Sequence, residues 1–362
     1  MRIVRHLRAL TASALLAFVP PPAPADSLAD LAAIVDAWRA SPHADHGSLS
    51  FTYWNREGAV PEACAACHSE PGFIDFLGAD GSEAGVVNHP AAINSVIGCA
   101  ACHTGAAHAL DSVTLPSGFV VDRLGPNATC TVCHGGRASG DAVAAATSGI
   151  GEDAVSEELR FINVHYGIAA AVMQGAEGRA GFHFSDRRYA GRFRHVPGAD
   201  SCVACHGAHD TRVEPDGCLT CHRGVENLAD IRTRHGDYDG DGDNAGGIHA
   251  EIAGLHARLY AAIQAYAAEV AGTPIGYAKG TFPYFFTDSD GDGIIGPGEA
   301  VMANRYASWT PRLLKAAYNY QVAAKDPGGY AHNPVYLLQL LYDSLDSLAE
   351  RVAVDMRALS RP

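Results

Sequence analysis

Cys64-Ala65-Ala66-Cys67-His68 is the first of five stretches in this 362-residue chain that have the form C-x-x-C-H. The other four are Cys99-Ala100-Ala101-Cys102-His103, Cys130-Thr131-Val132-Cys133-His134, Cys202-Val203-Ala204-Cys205-His206 and Cys218-Leu219-Thr220-Cys221-His222. Together the five stretches contain all 10 cysteines of the chain. The spacing of the cysteines therefore decides which class of protein this sequence encodes.

The C-x-x-C-H form is typical of covalent haem c attachment. Two thiols separated by two residues reach the two vinyl groups of one porphyrin, and the histidine that follows points its imidazole at the iron. Zinc would need two cysteine pairs, or one pair and two histidines, at each tetrahedral site. Neither zinc nor disulfides would explain a histidine after every second cysteine. The sequence therefore predicts five haem c groups.

With these motifs the chain resembles the multihaem c-type cytochromes of bacterial respiration and extracellular electron transfer. The resemblance covers residues 64–222. It implies closely stacked haems that relay electrons, with each iron bound on one side by the histidine of its motif. The interval from Cys202 to Cys218 is the shortest between motifs, which indicates that the fourth and fifth haems are in contact.

The second axial ligand of each iron is predicted to be another histidine. Outside residues 1–25 the chain has 12 histidines beyond the five motifs and only three methionines, so methionine cannot serve all five irons. Because methionine ligation raises haem potential, its scarcity predicts mostly low potentials. The candidate distal ligands are His89, His108, His165, His195, His209 and His332.

The candidates differ in their sequence surroundings. His89 precedes Pro90, which stiffens the backbone. His108 and His209 follow motif histidines by five and three residues, so each is expected to ligate a neighbouring haem rather than its own. His183 lies in the long gap between the third and fourth motifs and is a further source of ligands. Weaker candidates, mostly solvated or on helix surfaces, are His43, His46, His235, His249 and His256.

The N-terminus has the three parts of a secretory signal in residues 1–25. Arg2, Arg5 and Arg8 are followed by the apolar run Ala9–Val19 and by Ala23-Pro24-Ala25. A run of 11 residues is too short to span a bilayer, which takes about 20. Removing the signal deletes three arginines, which leaves 23 basic and 40 acidic residues and a net charge of −17. We expect an exported protein, periplasmic or extracellular, that neither spans the membrane nor binds nucleic acid through a basic face.

The pattern of the chain predicts a mainly α fold in two domains. Residues 26–235 are rich in Gly, Pro and Ala and are predicted to form a pentahaem domain cored by porphyrins. Little regular structure is expected there beyond short helices near Leu28–Arg39 and Ile168–Gln174.

Residues 236–362 are predicted to form a helical C-terminal domain. Apolar residues recur every three or four positions along 248–270 and along 337–352, as on one face of a helix. A third helix is predicted over 299–324, interrupted or starting again at Pro311. His332 is expected at the opening of the last helix.

Residues 288–299 fit the EF-hand calcium loop D-x-D-x-D-G-x5-E at every required position. Gly293 allows the sharp turn, and a water is expected at Gly296. The predicted Ca²⁺ ligands are Asp288, Asp290, Asp292, the backbone carbonyl of Ile294, and Glu299.

A second loop begins in the same way but lacks the closing glutamate. Its predicted ligands are Asp237, Asp239, Asp241 and Asp243. Ile248 stands where the glutamate should be, and Glu251 could substitute from the following helix. For both loops we expect a structural role in a calcium-rich medium outside the cytoplasm.

The chemistry predicted from these motifs is the passage of single electrons along five haems. The favoured task is that of an electron carrier that docks on redox proteins with a basic face, because its own surface is acidic. Association with a membrane-bound or outer-membrane electron-transfer complex, as a subunit of a larger conduit or filament, is an alternative. A second is an enzyme that converts a small inorganic nitrogen or sulfur compound at one open haem, for which His134-Gly135-Gly136-Arg137 offers an anion-binding arginine.

Overall fold

The computed structural model describes residues 28–165 and 167–362, and the predicted signal in residues 1–25 lies outside them. Within the described ranges the chain is mainly α-helical, with a few very short strands. No helix in those ranges is both long enough and apolar enough to cross a lipid bilayer.

The helices of the N-terminal part are short and separated by irregular chain. Helix α1 has the predicted bounds, and α8 runs from Ala169 to Gly178, further than the pattern indicated. The helices are α1 (Leu28–Arg39), α2 (Leu49–Thr52), α3 (Glu62–His68), α4 (Glu70–Phe76), α5 (Gly105–Ala109), α6 (Ala128–His134), α7 (Gly140–Thr147), α8 (Ala169–Gly178), α9 (Cys202–Cys205) and α10 (Pro215–Leu219). Two antiparallel strand pairs accompany them, β1 (Ala59–Val60) with β2 (Ala91–Ala92) and β3 (Val113–Thr114) with β4 (Val120–Val121).

The C-terminal part has longer helices that pack against one another. They are α11 (Ile248–Glu269), α12 (Pro311–Ala324), α13 (Gly329–His332) and α14 (Pro334–Ala349). The antiparallel hairpin of β5 (Ile275–Tyr277) and β6 (Phe285–Thr287) lies between α11 and α12 in sequence. The apolar periodicity of residues 248–270 and 337–352 is confirmed by α11 and α14, whose apolar faces are buried.

The predicted third helix is wrong in its first half. Helix α12 begins at Pro311, and residues 299–310 contain only one helical turn, Met302–Asn304. Thr310 caps α12, because its Oγ1 accepts a hydrogen bond from the Leu313 amide at 3.2 Å. Proline at the first helical position needs no hydrogen-bond acceptor, so the helix starts afresh there.

The position of His332 also differs from the prediction. His332 ends the short helix α13 instead of opening the last helix. Asn333 caps α14, because its side-chain oxygen accepts the Tyr336 amide at 3.3 Å. His332 therefore lies in a compact turn between α12 and α14.

The main apolar core joins the two parts of the chain. It combines buried residues from 115–182 with residues from 238–359, among them Trp309, Tyr266 and Leu255. The core therefore draws on both sides of the predicted domain boundary at 235/236, which stays a prediction. Residues 191–237, all of them described, include no buried residue although they carry two of the five motifs.

Candidate functional site

Each C-x-x-C-H motif lies on a single helical turn. The first motif lies inside α3, and the third forms the end of α6. The second begins with the helical turn 99–101, the fourth with α9, and the fifth starts within α10. In a helical turn, residues three and four apart lie on the same side, so both thiols and the imidazole of a motif face one space. No disulfide joins any of the ten cysteines.

The motifs meet one another in an order that differs from the sequence. The Cys133 Sγ of the third motif lies 3.9 Å from the Ala66 carbonyl of the first, and the neighbouring Cys133 lowers the pKa of the Cys67 thiol. The Cys202 amide of the fourth motif donates to the Asn127 side chain at the start of α6 at 2.9 Å, and the nearby Cys202 lowers the pKa of the Cys130 thiol in the third motif. The third motif therefore stands between the first and the fourth.

The second and fifth motifs join the same group. The Cys102 thiol lies 3.9 Å from the Thr129 hydroxyl, next to the third motif. Burial raises the pKa of the Cys205 thiol in the fourth motif, and the nearby Cys218 of the fifth motif adds to the effect. All five motifs thus form one connected cluster.

Beside each motif histidine lies a second histidine ring, and the distance between the two ring centroids is nearly the same in all five pairs. Two imidazoles bound on opposite sides of one metal ion, each at about 2 Å, have ring centroids about 6 Å apart. The centroid distances are 5.8 Å for His68–His165, 6.1 Å for His103–His209, 6.4 Å for His134–His43, 6.4 Å for His206–His332 and 5.9 Å for His222–His195. The spacing in all five pairs fits an iron between the rings.

The second motif has two neighbours of this kind. His108 on α5 lies with its ring centroid 6.1 Å from that of His103, the same distance as His209. His209 follows the fourth motif in sequence, so its ring connects the second and fourth motifs. His108 belongs to the turn directly after its own motif. Centroid distance alone does not separate the two.

The ring nitrogens of the motif histidines are arranged to leave Nε2 available. His68 Nδ1 donates to the Ser50 carbonyl at 2.8 Å, and His206 Nδ1 donates to the Thr211 carbonyl at 3.0 Å. His134 hydrogen-bonds the backbone of Gly167, where a Cβ would lie 2.7 Å from Nδ1. A metal-bound histidine usually donates its other N–H in this way, which fixes the ring and the tautomer.

Several of these imidazoles are held neutral. Burial lowers the pKa of His165 to about 4, and the charges of His68 and Arg137 lower it further in the same direction. Burial also lowers the pKa values of His43, His68 and His134. A neutral imidazole is the form that binds metal, so the burial of these rings favours ligation.

Other histidines have their Nε2 engaged or lie apart from the motifs. His183 Nε2 is 2.8 Å from the Tyr336 hydroxyl, and His256 Nε2 donates to the Tyr320 carbonyl at 3.0 Å. The structure places His89 beside Asp75, with Nδ1 3.0 Å from the carboxylate. Among the described rings, His89 pairs with no motif histidine.

His43, which the sequence ranked only as a weaker candidate, lies beside the motif histidine His134. It sits in the turn Pro42–Ala44, and its carbonyl accepts the Ile97 amide at 3.1 Å. Pro42 precedes His43, much as Pro90 follows His89. An adjacent proline, which restricts the backbone, is the local signal that the two histidines share. The partner of His43, His134, is remote in sequence, so no local pattern could connect them.

Arg137 is near the first motif instead of the third. Its Nη1 lies 3.8 Å from the Cys64 Sγ, and its charge helps to lower the pKa values of His68 and Cys67. The far side of His134, where an anion was expected, faces His43. The guanidinium therefore brings a positive charge to the first site.

The loop at 288–299 gathers carboxylates. Carboxylate oxygens of Asp288, Asp290 and Glu299 lie within 4.8 Å of one another. Asp292 is outside this group, and its Oδ1 accepts the Ile294 amide at 2.8 Å. The Gly293 amide donates to Asp288 Oδ2 at 2.9 Å, so the turn holds the first carboxylate in place.

The second loop has a similar arrangement. Oxygens of Asp237, Asp239 and Asp241 lie within 4.8 Å of one another, whereas Asp243 bonds the Ala245 amide at 2.7 Å. Buried Glu251 accepts the Tyr238 amide at 2.7 Å, as Glu299 accepts the amide of the second residue in the first loop.

Comparison with known proteins places these features among cytochromes. Two relatives from Geobacter sulfurreducens are C-type polyheme cytochrome OmcB, 25% identical over 378 aligned positions, and C-type polyheme cytochrome OmcC, 28% identical over 326. The alignments cover 85% and 80% of this chain. The matches support a multihaem c-type cytochrome.

The alignments cover 47% of OmcB and 36% of OmcC, so this multihaem chain spans about half the length of the relatives or less. No protein-family model matches the chain, and no solved structure matches it. The number of haems, their ligands and the calcium ions are therefore argued from the residues of the chain itself.

Proposed function

We propose that the chain is an exported pentahaem c-type cytochrome that relays electrons through haems with two histidine ligands each. The observation that carries the proposal is the presence, beside every one of the five motif histidines, of a second histidine ring 5.8–6.4 Å away. One haem would be held by each motif. Bound haem supplies a one-electron carrier whose potential depends on its axial ligands and surroundings.

The proposed distal ligands come from segments far from the motifs that they complete. His165 serves the first motif, His209 the second, His43 the third, His332 the fourth and His195 the fifth. His108 is the competing ligand for the second motif. Imidazole on both sides, with no methionine, favours low potentials.

The contacts between motifs indicate how the sites are connected. The third motif lies next to the first, the second and the fourth, and the fourth lies near the fifth. The residues therefore build a branched cluster around the third motif, in which the fifth forms one end. Motif order in the chain is not the order of contact.

The test is the spin state of the iron in the fully loaded protein. Mass spectrometry of the exported chain should show five haem additions, and electron paramagnetic resonance of the oxidised protein should show only low-spin iron. His43→Ala should turn one of the five haems high-spin, because the third iron loses its second imidazole. His89→Ala is the matched control, since His89 contacts no motif histidine, and it should leave all five haems low-spin.

Two results would overturn the pairing. A high-spin signal in the unmodified protein would mean that one site is open, and an unchanged spectrum for His43→Ala would remove the ligand of the third motif. The variants His108→Ala and His209→Ala decide the second motif, because only one of them should produce a high-spin haem.

The alternative of an enzyme with an open haem receives no support from the third motif. His43 faces the side of His134 where substrate would bind, and Arg137 points to the first motif. Cyanide binding to one haem of the unmodified protein would favour the enzyme. The role of a subunit in a larger conduit is compatible with the same residues and would show as an assembly larger than a monomer.

The acidic charge of the chain favours redox partners with a basic face. With 40 acidic and 26 basic residues, attraction to such a partner should be strong at low salt and screened at high salt. An association rate that is independent of ionic strength would contradict docking through the acidic surface.

We also propose that the two acidic loops bind Ca²⁺ and stabilise the C-terminal part. The ligands would be Asp288, Asp290, Asp292, the Ile294 carbonyl and Glu299 in the first loop, and Asp237, Asp239, Asp241 and Asp243 in the second. Glu251 is already paired with buried Arg232 at 2.7 Å, so it is left out of the second set. Calcium at 100 times its dissociation constant stabilises a fold by about 2.7 kcal/mol. Chelation should therefore lower the melting temperature, and Asp288→Asn should remove part of the response. An identical melting temperature with calcium and with chelator would rule the sites out.

A further inference from the structure

Asp326 is a buried carboxylate at the edge of the motif cluster. It follows α12 directly, its side chain is 2% exposed, and its Oδ1 lies 2.7 Å from His332 Nδ1. Among the described residues, its Oδ2 has no hydrogen-bond partner. A buried carboxylate oxygen without a partner disfavours folding, so this arrangement is retained at a cost to stability.

The loop from 326 to 332 fixes the carboxylate and the imidazole relative to each other. The Gly329 amide donates to the Asp326 carbonyl at 2.9 Å and closes the turn. The His332 ring rests against Gly328, where a Cβ would lie 2.7 Å from the ring. The charge of Asp326 also reaches His134, so the carboxylate lies between the third and fourth motifs.

The group that accepts the Nδ1 hydrogen bond of His332 differs from the groups that accept those of the motif histidines. His68 and His206 donate their Nδ1 protons to neutral backbone carbonyls. His332 donates its Nδ1 proton to the carboxylate of Asp326 instead, at 2.7 Å. A carboxylate acceptor makes an imidazole a more basic ligand than a carbonyl acceptor does.

We propose that Asp326 is a positioning residue that lowers the reduction potential of the haem held by His206 and His332. The inference rests on the proposed function, because it requires His332 to be an axial ligand. A more basic imidazole and a nearby negative charge in a region of low dielectric both favour the oxidised, more positive iron. The fourth site lies between the third and fifth motifs. By lowering the reduction potential of the fourth haem, Asp326 changes the driving force for electron transfer between the third and fifth haems.

The test is a redox titration of the fully loaded Asp326→Asn variant. At a fixed potential, the ratio of oxidised to reduced iron at one haem should fall at least tenfold, which is a rise of about 59 mV for one electron. The low-spin paramagnetic resonance signal of a single haem should change at the same time. Asp343→Asn is the matched control, because Asp343 is another buried carboxylate that pairs with Arg361 instead of a histidine.

A second variant keeps the test decisive if Asp326→Asn does not accumulate. Asp326→Glu keeps the charge but displaces the carboxylate, so it should alter the same single resonance signal by a smaller amount. Unchanged potentials and signals in either folded variant would overturn the inference.

The variant His332→Ala separates this inference from the proposed function. If His332→Ala leaves five low-spin haems, the ligand pairing itself is wrong. If His332→Ala produces one high-spin haem while the Asp326 variants leave every potential unchanged, the pairing stands and the role of Asp326 is wrong.

Discussion

The segment 191–237 and the helices α11, α12 and α14 represent two ways of building a folded chain. The segment carries two motifs and has no buried residue, whereas nearly all of α12 is buried and Trp309, Tyr266 and Tyr318 are completely enclosed. The helical part is held by side-chain contacts within an apolar core that it shares with residues 115–182. The motif-bearing segment has fewer such contacts, so with the proposed function we expect its order to come from the haems attached to its cysteines.

The largest effect is expected from preventing haem attachment. With all ten cysteines replaced by serine, residues 191–237 should lose protection from proteolysis and hydrogen exchange, because none of these residues is buried by the protein alone. The residues of α11, α12 and α14 should keep theirs. Equal loss of protection in both parts would break the comparison, since it would mean that the helical core also depends on haem.

A cavity in the helical core should destabilise the helices and leave the haem-binding motifs unchanged. Trp309→Ala should destabilise the C-terminal part by about 3–5 kcal/mol, because Trp309 is fully buried against Phe161, Phe285 and Tyr306. The haem absorbance below the melting transition should not change. Val301→Ala is a control at an exposed position and should cost little. A loss of haem absorbance in Trp309→Ala under native conditions would show that the two parts are not separable.

A smaller effect is expected from acid. His256 packs against Tyr320, and burial lowers its pKa to about 4, compared with 6.5 in an unfolded chain. In the folded protein His256 therefore stays neutral at pH values where the unfolded chain already binds a proton. The free energy of unfolding keeps its full value above pH 6.5 and decreases as the pH falls towards 4. The difference amounts to about 3 kcal/mol at most.

Chemical unfolding at pH 7 and pH 4.5 checks this expectation. His256→Gln should lose less stability between the two pH values than the unmodified protein, because glutamine does not titrate. Equal losses in the two proteins would show that protonation of His256 does not contribute to acid sensitivity.

The sequence was sufficient wherever the chemistry is local. Helices α11 and α14 follow from apolar spacing, and the five motifs follow from cysteines and histidines within five residues of chain. A fresh start at Pro311 was one of the two options that the sequence left open for the third helix, and the cap at Thr310 with the proline after it decides for that option.

The histidine pairs could not be derived in the same way. His165 follows the third motif in sequence but lies beside His68 of the first, and His43 precedes all motifs but lies beside His134. These pairings depend on how distant segments pack, which no local spacing records. His89 looked similar to His43 in sequence, yet Asp75 holds it elsewhere.

In several of these pairs the second histidine lies far from its motif in sequence, which matters for the order in which the sites are completed. An exported chain emerges with its N-terminus first, so the first motif leaves the cell interior well before His165, and the fourth well before His332. Attachment of each porphyrin and completion of its coordination are therefore separate events in time. With the proposed pairing of His206 and His332, the turn at 326–332 has to arrive before the fourth centre is complete, so maturation of that centre depends on the last part of the polypeptide.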